Sequence, residues 1–175
     1  MRTRICAMLL LAVFFFLVPP TVSARQLSPF AIDSLVGKPA PDFTLPDQNG
    51  RTVTLSAFRG RPVLLNFWAP WAPNSRAEVM SLIQLRARAD MKDLVILGIT
   101  LDRKTQEAEA FLRETPVDYP ILQDPGLIVS QQRYSVFMSP TTLLIDRNGI
   151  IRKLYFGQQE WGREKLIREL ADFVR

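Results

Sequence analysis

The sequence predicts an α/β domain with a mixed central sheet, helices on both faces and an N-terminal β-hairpin. Three observations carry that expectation. Two short and nearly continuous apolar runs, Pro62–Trp68 and Leu94–Leu101, read as strands covered on both faces. A helical pattern separates them, and strand, helix, strand in one sheet implies a right-handed parallel crossover. Later the rhythm changes, because Thr141–Asp146 and Ile150–Tyr155 flank the turn Arg147-Asn148-Gly149 and so read as an antiparallel hairpin.

In chain order the first feature is an export signal. Arg2 and Arg4 precede a 14-residue apolar run, Ile5–Val18, which Pro19-Pro20 ends before the small residues Val22-Ser23-Ala24. A membrane-spanning helix needs about 20 apolar residues. Residues 1–24 are therefore expected to be a signal peptide cleaved after Ala24, giving a periplasmic or secreted chain. The alternative is an uncleaved segment acting as a membrane anchor, the only membrane contact expected. Lipidation is not expected, since the one cysteine, Cys6, lies near the start of the run and not at the cleavage point.

Residues 25–36 read as a variable lead-in and residues 37–175 as a single domain. Phe43–Leu45 and Thr52–Leu55 flank Asp47-Gln48-Asn49-Gly50, where Asn-Gly supplies the positive φ of a tight turn. After the first buried strand, a helix is expected over Asn74–Ala89 with Val79, Leu82, Ile83 and Leu85 among its apolar positions. The second strand leads to a helix over Lys104–Glu114, with Ala108, Phe111 and Leu112 on one side. A short helix near Leu127–Tyr134 follows Pro120-Ile121-Leu122. Arg163–Val174 closes the chain as an amphipathic helix with Leu166, Ile167, Leu170 and Phe173 inward.

Composition narrows the chemistry. Removing Arg2 and Arg4 with the signal leaves 20 basic against 17 acidic residues, a net charge of +3. Basic residues are interspersed with acids, as in Arg163-Glu164-Lys165, so no nucleic-acid surface is expected. The chain has no histidine, which removes the usual general base, the Ser-His-Asp triad and most zinc sites together. No metal and no cofactor is expected. Without a cysteine beyond Cys6, the domain has neither a structural disulfide nor a thiolate nucleophile.

Several motifs in order carry a family resemblance. They are Gly37-Lys-Pro-Ala-Pro-Asp-Phe-Thr-Leu45, Leu65-Asn-Phe-Trp-Ala-Pro-Trp71, Arg76-Ala-Glu78, Val117-Asp-Tyr-Pro120 with Asp124, and Tyr134-Ser-Val136 followed by Pro140-Thr-Thr-Leu-Leu-Ile-Asp-Arg-Asn-Gly149. From Gly37 onward the chain resembles thioredoxin-fold proteins of the TlpA/ResA type, grouped with the AhpC/TSA redoxins. The resemblance implies a thioredoxin-like fold. It also implies that Ala72 and Ser75 occupy the positions of a Trp-Cys-x-x-Cys motif, and that Pro140 corresponds to a cis-proline lying against that turn. Relatives use a thiolate at the helix start to attack a disulfide, and a second thiol to resolve the mixed disulfide. Ala72 has no heteroatom, and the Ser75 hydroxyl neither ionises near neutral pH nor exchanges with disulfides.

Around these positions most residues have plain readings. Ser75-Arg76-Ala77-Glu78 fits a capping box, with Ser75 as N-cap and Glu78 bonding back to it. Covalent catalysis by Ser75 has no accompanying base. Glu78 is expected to be a cap or a surface charge and not a buried proton carrier. Asp102 and Asp124 read as turn residues, Phe67 as core and Trp161 as packing. The resemblance sets Trp68 and Trp71 about a surface turn, with one of them exposed as an interface anchor. A groove for an extended peptide is then expected along Trp71, Ala72, Pro73, Ser139, Pro140 and Thr141; the alternative is that Pro140 only shapes a core loop. Met138 stands where relatives often have glycine, either narrowing the groove or adding an adaptable apolar contact.

The expected function is an exported, redox-inactive thioredoxin-like protein whose partner is another exported protein or an extended peptide segment. The alternative from the resemblance is thiol-disulfide exchange or a peroxiredoxin-like antioxidant role, dependent on cysteines this chain lacks. A solely structural role is the third reading.

Overall fold

The computed structural model describes residues 31–104 and 106–174. The export signal expected over 1–24 and the first part of the lead-in lie outside the described residues. The strands are β1 (Thr44–Pro46), β2 (Thr52–Thr54), β3 (Val63–Trp68), β4 (Val95–Thr100), β5 (Ile121–Gln123), β6 (Thr141–Ile145) and β7 (Ile151–Phe156). The α-helices are α1 (Pro73–Arg86), α2 (Gln106–Glu114) and α3 (Glu164–Val174).

β1 and β2 form the expected antiparallel hairpin, and the other strands form one sheet in the order β5-β4-β3-β6-β7. β3 pairs parallel with β4 and antiparallel with β6, β4 pairs parallel with β5, and β6 with β7 antiparallel. The sheet is mixed, as the sequence predicts. Gly50 and Gly149 have φ of 75° and 73°, the left-handed conformation both Asn-Gly turns demand.

All six residues of β3 and all six of β4 are buried, which is why these segments read as continuous apolar runs. Their side chains alternate between two cores. Leu64 and Trp68 face a cluster with Val79, Leu82, Phe111, Trp161 and Leu170, whereas Leu65 and Phe67 face Phe43, Leu97, Tyr134, Val136 and Leu143. The first cluster takes side chains from all three α-helices. Two right-handed crossovers that step the same way, β3 to β4 and then β4 to β5, place α1 and α2 on the same side. The opposite face is covered by the hairpin and by short helical turns at Ala31–Leu35 and Ile128–Arg133, which contribute Ile32 and Val129.

Element ends differ modestly from expectation. α1 ends at Arg86, because Arg88 turns extended to start a separate turn over Ala89–Met91. Asp102 and Asp124 do more than occupy turns. Asp102 is buried and accepts the backbone N–H groups of Lys104, Glu107 and Ala108 at 2.9 to 3.1 Å, so it caps α2. Asp124 likewise accepts from the Ile128 and Ser130 N–H groups and from the Ser130 hydroxyl. Asp102→Ala orphans the amides that Asp102 serves, and the expected cost is about 1–2 kcal/mol in urea unfolding.

Candidate functional site

Strand register places the site. β3 runs antiparallel to β6 with Phe67 opposite Thr141, so the chain leaving β3 into α1 and the chain entering β6 lie at the same end of the sheet. β7 finishes there too, with Phe156 opposite Thr141. Three segments therefore meet at this edge: Ala69–Ala72 before α1, Phe137–Pro140 before β6, and the loop from Gly157 to Gly162 after β7.

The Ser139–Pro140 peptide bond is cis, as the resemblance implies. Pro140 and Thr141 are buried and Ser139 is half-buried. The Thr141 hydroxyl donates to the Met138 carbonyl at 2.9 Å, and the Gly157 N–H donates to the Pro140 carbonyl at 2.9 Å. Across the edge, Trp71 is 55% exposed, whereas Trp68 is fully buried against Phe111 with ring centroids 5.3 Å apart. Ala72 is half-buried and Pro73 exposed.

An apolar hollow at this edge has different walls from those expected. It encloses about 190 Å³ and is lined by Ile32, Ser135, Val136, Phe137, Met138, Thr141 and Phe156, so only Thr141 of the expected groove residues belongs to it. Phe137, Met138 and Phe156 are 54%, 58% and 40% exposed, an apolar surface that single scattered residues would not make. Met138 thus supplies apolar surface. Sequence reading passed over both phenylalanines; the available signal was the pair Phe137-Met138 standing in a loop, where nothing requires apolar residues.

The capping box is overturned. α1 begins at Pro73 with Ala72 as its N-cap, three residues before the expected Ser75, and no side chain caps it. Pro73, with its φ already near the helical value, starts the helix early. Ser75 then falls inside the first turn, fully buried, where its Oγ accepts the Ala69 N–H at 3.3 Å. That hydroxyl braces the turn.

Glu78 is the larger correction. It is fully buried, neither a cap nor a surface charge. Its Oε1 accepts from Thr142 Oγ1 at 2.8 Å, Trp161 Nε1 at 3.1 Å and Asn66 Nδ2 at 3.3 Å; among the described residues its Oε2 accepts only the Gln159 N–H, at 3.3 Å. Asn66 Nδ2 also donates to Thr142 Oγ1 at 2.9 Å. One carboxylate thereby joins α1, β3, β6 and the β7–α3 loop. Burial pushes its carboxyl up to about 6, although the hydrogen bonds from Thr142, Trp161 and Gln159 oppose that rise. Trp161, expected as packing, is both core and donor. Among the described residues no cluster of His, Cys, Asp or Glu is placed to hold a metal ion.

Comparison with known proteins matches this framework. The AhpC/TSA family model matches residues 36–154. The thiol-disulfide oxidoreductase ResA of Geobacillus thermodenitrificans is 34% identical over 122 residues, 70% of each chain. The thiol:disulfide interchange protein DsbE of Escherichia coli K12 is 35% identical over 127 residues, 71% of this chain and 66% of that protein. The crystal structure of a protein assigned as a thiol:disulfide interchange protein DsbE from Chlorobium tepidum superposes with a TM-score of 0.73 and 32% identity, covering 80% of this chain and 98% of that one.

The raised Glu78 carboxyl has a consequence for stability. The folded chain holds this proton up to about pH 6 while the unfolded chain releases it near 4.5, so the contribution is most favourable below that window and declines as pH rises through it. Glu78→Gln removes the titration. The difference in unfolding free energy between wild type and Glu78→Gln is expected to change by about 2 kcal/mol between pH 4 and pH 7, read by urea denaturation.

Proposed function

The chain belongs to the AhpC/TSA family, among the thioredoxin-like thiol-disulfide oxidoreductases, and we propose that it is an exported member that works by binding an extended segment of another protein and not by redox chemistry. The observation that carries this reading is the pairing of Ala72 and Ser75 at the start of α1 with a solvent-facing apolar edge beside the cis-proline.

Thiol-disulfide exchange needs a thiolate to attack sulfur and a leaving thiolate to depart. Ala72 offers hydrogen and carbon only. Ser75 offers an alcohol buried beneath the turn and engaged with the Ala69 N–H. No other described residue carries a thiol, as the only cysteine is Cys6. What the edge does offer is adhesion. Trp71 stands on one side and Phe137, Met138 and Phe156 on the other, which is the composition of a binding anchor. An extended segment laid here would bury those side chains beside the half-buried Ser139, whose backbone is the group proposed to pair with it. The basic pair and apolar run ahead of Ala24 support export.

Two measurements check the reading. The purified chain is expected to leave the rate of insulin disulfide reduction by dithiothreitol unchanged, whereas the double substitution Ala72→Cys, Ser75→Cys accelerates it. Wild-type acceleration would end the proposal. In parallel, a labelled, end-blocked peptide of Val, Phe, Ser and Lys is expected to bind saturably in fluorescence anisotropy, with Trp71→Ala and Phe137→Ala each weakening it about 5- to 30-fold, the range of a truncated interface anchor.

A further inference from the structure

The loop that follows β7 bonds to the carbonyl of the cis-proline, and it is tied to α1 at two points, the Glu78 carboxylate and the Ser81 hydroxyl. Gly157 donates its N–H to the Pro140 carbonyl. Gln159 fastens the same loop on itself, its side-chain amide donating to the Phe156 and Gly157 carbonyls at 3.2 and 3.1 Å. The Gln159 backbone N–H donates to Glu78 Oε2, and two residues on the Trp161 N–H donates to Ser81 Oγ at 2.7 Å. A continuous series of hydrogen bonds therefore runs from the buried carboxylate, through Gln159 and Gly157, to the carbonyl of the residue at the mouth of the binding edge.

We propose that Glu78 is a positioning residue whose ionised form fixes the Gly157–Gln159 loop and hence the Pro140 carbonyl, so that proton uptake by Glu78 loosens the edge and weakens peptide binding.

The two carboxylate oxygens are unequal, and that inequality decides where a proton goes. Oε1 has three donors pointed at it, so an added proton there meets positive hydrogens on every side. Among the described residues Oε2 has one donor, at 3.3 Å, while the shortest bonds, at 2.8 and 3.1 Å, go to Oε1. A proton on Oε2 turns an acceptor into a competing donor and displaces the Gln159 N–H. The contact that protonation breaks is therefore the one leading to Pro140. Contacts to β3, β6 and Trp161 persist through Oε1, so the core remains assembled while the loop relaxes.

The surroundings leave this carboxyl to titrate by itself. From β3 and β6 it meets the neutral Asn66 and Thr142, and from the loop the neutral Gln159 and Trp161. Tyr119, ahead of β5, also senses its charge, but burial pushes that phenol far up and it stays neutral throughout. The charged pair on the loop, Glu160 and Arg163, lies at the surface and closes on itself at 2.6 Å. Burial places the Glu78 transition at about 6.

This inference rests on the edge being a peptide-binding site, and the experiment separates the two. The amide signals of Gln159 and Gly157 and the Trp161 indole signal are followed by NMR from pH 5 to 7.5 in wild type and in Glu78→Gln. Affinity for the labelled Val/Phe/Ser/Lys peptide, which has no group titrating in that range, is measured alongside. Expected are a common transition near pH 6 in all three signals, absent in Glu78→Gln, and a roughly fivefold or greater loss of affinity at pH 5 in wild type only. Signals that do not titrate together, or an affinity that ignores the transition, overturn the gating role. Absence of binding at every pH overturns the peptide-site reading as well, while the signals still show whether the loop follows the proton. Where Glu78→Gln fails to fold, the wild-type titration alone decides whether loop and carboxyl share one transition.

Discussion

Everything at the candidate edge depends on β3 being buried on both faces. With all six residues enclosed, the strand cannot slip by one position without exchanging its two sets of side chains between two different cores. Its register with β6 is thereby fixed, and with it the level at which α1 begins relative to Pro140. The carboxylate of Glu78 can reach Asn66 on β3 and Thr142 on β6 only because those residues are direct partners across the sheet. A polar network this exact in its distances is a product of strand register first and of helix geometry second.

On that frame the site separates presentation from reaction. Thioredoxin-like chemistry needs a thiolate, and the pKa adjustment that a helix start or a buried neighbour supplies has effect only on a group able to ionise. Ala72 and Ser75 are not such groups, so the electrostatics of this helix start have no nucleophile to act on. Shape and hydrogen bonding at the same edge are independent of sulfur. The cis Ser139–Pro140 bond, the tethered Pro140 carbonyl and the exposed Trp71 and Phe137 remain, and the proposed binding of an extended segment rests on them.

The sheet, its mixed pairing and the three helices were legible in the sequence, because buried strands and amphipathic helices write their environment into local periodicity. The cis-proline was legible through resemblance. Glu78 was not. Ser-x-x-Glu at the start of a helix has the spacing of a capping box, and only tertiary structure reveals that Pro73 moves the cap to Ala72 and turns Glu78 toward the sheet. Its partners Asn66, Thr142 and Trp161 are scattered along the chain, and no local pattern announces that they converge. The hollow walled by Phe137 and Phe156 was missed for a related reason: those residues come from a loop and from the end of an edge strand, brought together by the β6–β7 pairing.

The composition of the Glu78 site argues against a packing role alone. Burying a carboxylate costs several kcal/mol unless its charge is well compensated, and a hydrocarbon of similar volume often serves stability as well or better. A leucine at position 78 would fill the space between α1 and the sheet beside Val79 and Leu82. It would offer nothing to Thr142 or the Trp161 indole, each buried and each then lacking its acceptor, and Asn66 would keep only its bond to Thr142 Oγ1. Nor would it hold the Gln159 N–H, and the loop after β7 would keep only the Trp161 N–H bond to Ser81 Oγ as its backbone tie to α1 among the described residues. A hydrocarbon could fill the space; it could not accept these hydrogen bonds, and the proposed hold on Gln159 needs the carboxylate.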